Sequence, residues 1–304
     1  MENQTIESTE ISPRLVSAVL RQAAQRLISC GIESGALDAE ILLGHVLGMG
    51  REQIVVAANT PLNDTDGRAY EGLLSRRLRR EPTSYITGRR EFWSLDLHVT
   101  RDVLIPRPET ELLVEIALTL AKGSARARRI IDLGTGSGAI AVALASELTN
   151  AEIVATDVSA EALAVAAGNA VLNGVNGRIR FALGDLFEPI QPEQPVDLIV
   201  SNPPYIRRSD IDTLEPEVSR WEPRGALDGG LDGLEYYRRI AAHAFRYLAP
   251  DGALAVEIGA STGQAVAALF QDTPACAAVS IYNDYTGMER VVVARKAAAR
   301  ITSI

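Results

Sequence analysis

The chain has 304 residues, 47% of them hydrophobic, with a formal net charge of −9. That composition supports a sizeable core, argues against disorder, and suits about two domains. The acidic balance gives no global attraction to a phosphate backbone, so protein or small-molecule partners are favoured over nucleic acid. Cys30 and Cys276 are far apart and read as free thiols in a reducing compartment. His45, His98 and His243 lack metal-ligand spacing, so no metal is expected. Residues 1–10 are polar and acidic, without the basic and apolar regions of a signal peptide, and no apolar run is long enough to span a bilayer. A cytoplasmic protein is expected.

Residues 1–11 read as a tail. Ser12-Pro13 reads as a helix start, followed by Val16, Val19, Leu20, Ala23, Leu27 and Ile28 at helical spacing and a stop at Gly31. Asp38 is expected to cap a second helix, with further helices at 52–57 and 65–80. Arg76, Arg77, Arg79 and Arg80 on the last of these read either as a solvated face or as a docking patch for an acidic partner. These helices form a small N-terminal domain over residues 1–84. A strand or hairpin at 91–100 and the rigid Pro106-Arg107-Pro108 make a linker over 85–108, and a helix follows from Glu109 to about Lys122.

The third segment, 109–304, alternates short apolar runs with helical stretches. Strands are expected at 129–133, 152–156, 178–182, 196–200, 253–258, 277–282 and 290–294, with helices between them such as 159–172 and 234–248. The fold class is α/β: a Rossmann-like sheet of about seven mostly parallel strands behind a small helical domain.

Two loops carry the chemistry. The first expected strand ends in Asp132-Leu133-Gly134-Thr135-Gly136-Ser137-Gly138 and opens a helix; glycines there permit a tight turn and close backbone approach to a ligand. Asp157 ends the next strand, 19 residues after Gly138, where a carboxylate can accept both ribose hydroxyls of a nucleoside. This pattern alone fits either a nicotinamide dinucleotide or S-adenosylmethionine. Two acids favour the latter: Asp132, placed to serve the cationic end of the methionine portion, and Asp185, placed to meet an adenine amino group with Leu186 and Phe187 covering the ring.

The other loop is Ser201-Asn202-Pro203-Pro204-Tyr205. Two prolines stiffen it and remove two donors, leaving it rich in acceptors. An amide nitrogen is a poor nucleophile because its lone pair is delocalised. Acceptors at Asn202 Oδ1 and the Pro203 carbonyl would hold its two N–H groups, and those bonds strengthen as charge builds on nitrogen. Tyr205 is expected to pack on the planar group.

These stretches resemble the HemK/PrmC-type family, the release-factor glutamine methyltransferases, over nearly the whole chain. The similarity runs through Asp38-Ala39-Glu40-Ile41-Leu42-Leu43, Gly88-Arg89-Arg90-Glu91-Phe92-Trp93 and Leu104-Ile105-Pro106-Arg107-Pro108-Glu109-Thr110-Glu111. Glu222-Pro223-Arg224, Ala226-Leu227-Asp228-Gly229-Gly230, Asp232-Gly233-Leu234 and Glu289-Arg290-Val291 continue it. The resemblance implies a class I S-adenosylmethionine-dependent methyltransferase acting on the GGQ glutamine of class 1 peptide chain release factors. It implies cofactor contacts at Gly134, Thr135, Gly136, Ser137, Gly138, Asp157, Asp185, Leu186 and Asn202, and a substrate site at Asn202, Pro203, Pro204 and Tyr205. Some relatives carry an aromatic residue where this chain has Leu186. Asn-Pro-Pro-Tyr is shared with adenine DNA and guanine RNA methyltransferases, and a sister class methylates glutamine in a ribosomal protein. Those substrates, and a non-enzymatic binding module, are the alternatives.

Overall fold

The computed structural model describes residues 14–121 and 128–298. The expected tail, the helix start at Ser12-Pro13 and the end of the helix at Lys122 lie outside the described residues. The chain divides into two compact units, one up to Thr87 and the other from Gly88.

The first unit is helical: α1 (Val16–Ser29), α2 (Gly35–Leu47), α3 (Arg51–Val56), α4 (Asp64–Leu78) and α5 (Thr83–Thr87). Val16, Ala23 and Leu27 of α1 meet Ala39, Leu42 and Leu43 of α2, with Tyr70 and Leu74 of α4, in one buried cluster. Among the described residues no single helix is long and apolar enough to cross a membrane.

Asp38 does not cap α2, which begins three residues earlier. Its carboxylate is buried and accepts from Arg77 Nε at 2.7 Å and from Ser34 Oγ at 2.9 Å. The arginines at and just after the end of α4 likewise divide by direction. Arg77 is 4% exposed, and Arg76 holds Glu81 through two bonds of 2.7 and 2.9 Å. Arg80 Nη1 donates to the Gly31 carbonyl, and Arg79 is exposed. Neither a solvated face nor a docking patch describes Arg77, because a carboxylate buried 39 residues earlier in the chain needs its charge.

The second unit opens with a hairpin, β1 (Arg89–Phe92) and β2 (Leu95–His98), turned by Trp93 and Ser94 at φ 54° and 55°. Then come α6 (Thr110–Ala121), β3 (Arg128–Leu133), α7 (Ala139–Glu147), β4 (Ala151–Asp157), α8 (Ala160–Leu172), β5 (Ile179–Leu183) and β6 (Val196–Ser201). A long connection carries the short α9 (Pro216–Ser219). It leads to α10 (Glu235–Tyr247), β7 (Leu248–Glu257), α11 (Gly263–Gln271), β8 (Cys276–Asn283) and β9 (Glu289–Lys296).

Among the described residues the sheet has seven strands in the order β5-β4-β3-β6-β7-β9-β8. Neighbours from β5 to β7 pair in parallel, and β9 runs antiparallel between β7 and β8. The central strands β3, β6 and β7 end in runs of buried residues because both faces are covered there. Leu113, Val142 and Ala170 bring α6, α7 and α8 to one face; Tyr237, Ile240, Val266 and Phe270 bring α10 and α11 to the other. β7 begins five residues before the expected strand, directly after α10. Pro250 and the left-handed Asp251 (φ 61°) break its register against β6, which hid this first part from the sequence pattern.

Gly138 ends the tight turn into α7 at φ +79°, and an added Cβ would stand 3.0 Å from Ala166 Cβ of α8. Gly138→Ala is expected to cost roughly 2 kcal/mol in denaturant unfolding, from the left-handed backbone and the helix contact. Gly168→Ala, within α8 where a Cβ meets nothing within 4 Å, is expected to stabilise by about 0.5–1 kcal/mol. In the first unit, Arg77→Met strands the Asp38 carboxylate and should destabilise by about 3–5 kcal/mol. Arg79→Met should change stability by less than about 0.5 kcal/mol.

Candidate active site

Three parallel strands end side by side, and their loops converge. Leu133 of β3 pairs with Thr156 of β4 on one side and Ser201 of β6 on the other. Ser201 Oγ donates to the Leu133 carbonyl at 2.8 Å, tying the two loops at their roots. Such carboxyl-end crevices are where open α/β sheets bind ligands.

The glycine loop is held from β4. Backbone N–H groups of Gly134 and Thr135 both donate to the Thr156 carbonyl at 2.9 Å. Gly134 and Gly136, at φ +69° and +55°, line a cavity of ≈ 350 Å³. Thr135, Ser137 and Gly138 are buried and do not line it. Asp157 lines it and is fixed by two backbone donors: Gly136 N–H to Oδ2 at 2.9 Å and Ser159 N–H to Oδ1 at 3.0 Å. Each oxygen keeps a second lone pair for a ligand hydroxyl.

Asp132 is not on the cavity wall. It is fully buried, and Thr135 Oγ1 donates to its Oδ2 at 2.7 Å. Burial pushes its pKa up to about 7, while bonds from Thr135 and the Ala141 N–H oppose the shift. Its Oδ1 has no hydrogen-bond partner among the described residues. Asp132 therefore lies beneath the loop and holds it through Thr135.

Asp185 and Leu186 line the cavity beside Val158 and Tyr236, and Phe187 is buried behind them, stacked on Tyr247 at 4.7 Å between ring centroids. Asp185 Oδ2 is engaged by Arg239 Nη2 from α10. Leu186 sits at φ 50°, unusual for a branched side chain, and its carbonyl accepts from Thr156 Oγ1 at 3.0 Å. Val158 is 66% exposed yet part of the same wall, an apolar surface open to a ligand.

Asn202 and Pro204 reach the cavity; Pro203 is buried, and Tyr205 does not line it. Asn202 Nδ2 donates to Thr110 Oγ1 at 3.2 Å, which leaves its Oδ1 as the open end of the amide. Tyr205 turns inward, its hydroxyl 3.5 Å from Glu257 Oε1.

The loop is clamped from behind by Gly229 and Gly233. A Cβ at Gly229 would fall 2.8 Å from Tyr205 Cα, and one at Gly233 2.5 Å from the Tyr205 carbonyl. Ile206 N–H donates to Leu227 O and Gly229 N–H to Ile206 O, forming a short parallel bridge. At the mouth, Arg107 forks onto buried Glu222 at 2.7 and 2.8 Å, and Arg101 lies 4.3 Å over the Trp221 ring. Pro223, Gly225 and Ala226 complete that wall. Residue types alone gave no reason to place Thr110, Tyr236, Glu257 or these glycines at the site; only the resemblance drew attention to some of their segments. Among the described residues no group of three or more His, Cys, Asp or Glu side chains could hold a metal.

Residues 18–88 match the PrmC N-terminal domain family, and 108–215 the methyltransferase small domain family. The release factor glutamine methyltransferase of Geobacter sulfurreducens is 45% identical over 265 residues, covering 87% of this chain and 91% of the relative. That of Rhodospirillum rubrum is 42% identical over 290 residues, covering 95% and 88%. The solved catalytic domain of hMettl16, in complex with a 3′UTR hairpin, has the same fold at 16% identity, with a TM-score of 0.55 over 76% of this chain and 84% of its own. The chain belongs to the release factor glutamine methyltransferase family.

Proposed function

We propose that this enzyme methylates the side-chain amide of the GGQ glutamine in class 1 peptide chain release factors, with S-adenosylmethionine as methyl donor, giving N(5)-methylglutamine. The observation that carries this reading is Asn202: it lines the cavity with its NH₂ tied to Thr110, and Asp157 and the glycine loop stand on the same wall.

The cavity fits the donor. Gly134 and Gly136 admit close backbone approach, and Asp157 offers acceptors for two ribose hydroxyls. Val158 and Leu186 would cover a purine from the apolar side, and Asp185 lies at its edge. When bound there, S-adenosylmethionine supplies an electrophilic methyl group. The protein's part is orientation. Asn202 Oδ1 and the Pro203 carbonyl would accept the two N–H bonds of the substrate amide and hold its nitrogen in line. Those bonds tighten as the nitrogen becomes positive, so they favour the transition state over the bound amide. Tyr205, which turns inward toward Glu257 and so does not pack on the planar amide as expected, supports the loop from behind. The nitrogen can release its proton late, to an acceptor or water, so no histidine base is needed. We further propose that the N-terminal helical unit docks the release factor.

Incubation with labelled S-adenosylmethionine and purified release factor should label the wild-type factor and not one whose GGQ glutamine is replaced by alanine. Label on neither, with cofactor binding intact, would redirect the assignment to a ribosomal-protein or nucleic-acid substrate. Asn202→Ala is expected to lower kcat by at least about a hundredfold while cofactor Kd changes less than about fivefold. Asp157→Ala should do the reverse, weakening cofactor binding about tenfold or more by calorimetry.

A further inference from the structure

One buried side chain of α8 reaches two separate stretches of the cofactor cavity's frame. Asn169 is 0% exposed. It lies three residues beyond Ala166, against which the glycine loop packs at Gly138. Residues three apart on a helix share a face, so Asn169 looks toward the same loop. Its Nδ2 donates to the Ser137 carbonyl at 2.8 Å. The same nitrogen donates to the His98 carbonyl at 2.9 Å, and Oδ1 accepts from the His98 N–H at 2.7 Å. A backbone N–H only donates and a carbonyl only accepts, so these partners fix which end of the amide is which.

Ser137 lies between Gly136, which lines the cavity and donates to Asp157, and Gly138, which leads into α7. His98 ends β2, and just beyond it Arg101, Asp102, Val103 and Leu104 line the cavity. Ser137 and His98 themselves do not line it. The amide therefore grips the roots of two stretches of wall from outside the cavity. Asn173, one turn further along α8, makes a useful contrast. Its Nδ2 donates to the Asp96 and Asn169 carbonyls, both at 3.0 Å. It ties the same hairpin to the same helix and makes no bond to the glycine loop.

We propose that Asn169 is a positioning residue that sets the separation between the glycine loop and residues 101–104, and thereby the affinity for the methyl donor. The proposal rests on the reading that S-adenosylmethionine binds in this cavity. A ligand that spans both stretches of wall binds best when their separation is fixed beforehand, because it then does not bear the ordering cost. Asparagine suits the position. Aspartate keeps the shape but turns an oxygen toward two carbonyl oxygens, and alanine leaves both stretches untied. The Asn202 loop hangs from β6 and makes no bond to Asn169, so the effect falls on donor binding rather than on amide orientation.

The test compares full-length wild type with Asn169→Asp, Asn169→Ala and Asn173→Ala. The readouts are Kd for S-adenosylhomocysteine by calorimetry, melting temperature, and kcat and both KM values on a purified class 1 release factor. Both Asn169 variants should weaken S-adenosylhomocysteine about tenfold or more and raise the donor KM in step. Their kcat at saturating donor and their KM for the release factor should stay within about threefold of wild type. Asn173→Ala should lower the melting temperature while its Kd stays within about twofold. In wild type, whose folding is not at issue, S-adenosylhomocysteine should slow exchange of the His98 amide proton, since that proton is released only when the clamp opens. Wild-type Kd in the Asn169 variants overturns the clamp alone. So does equal weakening in Asn173→Ala, or a His98 amide whose exchange is unchanged while that of Gly136 slows. Failure of wild type to bind S-adenosylhomocysteine overturns the donor reading and the clamp with it.

Discussion

Parallel pairing of β3 with β4 on one side and β6 on the other is what the site depends on. Residues 132–138, 157–159 and 202–205 follow three strands that are not consecutive in the chain, and the pairing of Leu133 with both Thr156 and Ser201 brings them to one edge. Parallel neighbours need crossovers, and α7 and α8 supply them on one face of the sheet. A one-residue slip would move every side chain to the opposite face, so burial of these strands also fixes the register of the loops that follow them.

Polar groups beneath those loops are unusually costly to bury. Asp132 and Glu257 are both fully or almost fully enclosed, each with an oxygen that finds no partner among the described residues. Removing a carboxylate from water without full pairing costs free energy, and both groups answer by a raised pKa. What they gain is rigidity. Asp132 holds the glycine loop through Thr135, and Glu257, at the end of β7, stands against Tyr205 of the Asn-Pro-Pro-Tyr loop. Orientation is a large part of what a protein can contribute to methylation of an amide, so stiff second neighbours suit the chemistry.

The helical unit obeys a different logic. Four of its arginines cluster at the end of α4, yet Arg77 and Arg76 are spent internally on Asp38 and Glu81. A buried ion pair adds little net stability over an apolar pair of the same shape, but losing one partner is severe. The pair fixes how α4 lies against α2 more than how firmly it is held there.

By itself the sequence determined the strand–helix alternation, the glycine turn after β3, the carboxylate at the end of β4 and the stiff acceptor-rich loop after β6. These features are written locally: apolar period, glycine where φ is positive, proline where donors must be absent. Tertiary structure decided what distant pairing controls. Asp38 looks like a cap until Arg77 is placed beside it, and the complete burial of Asp132 beneath the glycine loop is set by the packing around it. Trp93 and Ser94 carry no turn signature, and their left-handed backbone follows from the hairpin pairing around them. Thr110 and Glu257 are ordinary residues at a helix start and a strand end. Thr110 meets Asn202, and Glu257 meets Tyr205, only because α6 and β7 pack against β6, and separations of 92 and 52 residues leave no local pattern to read.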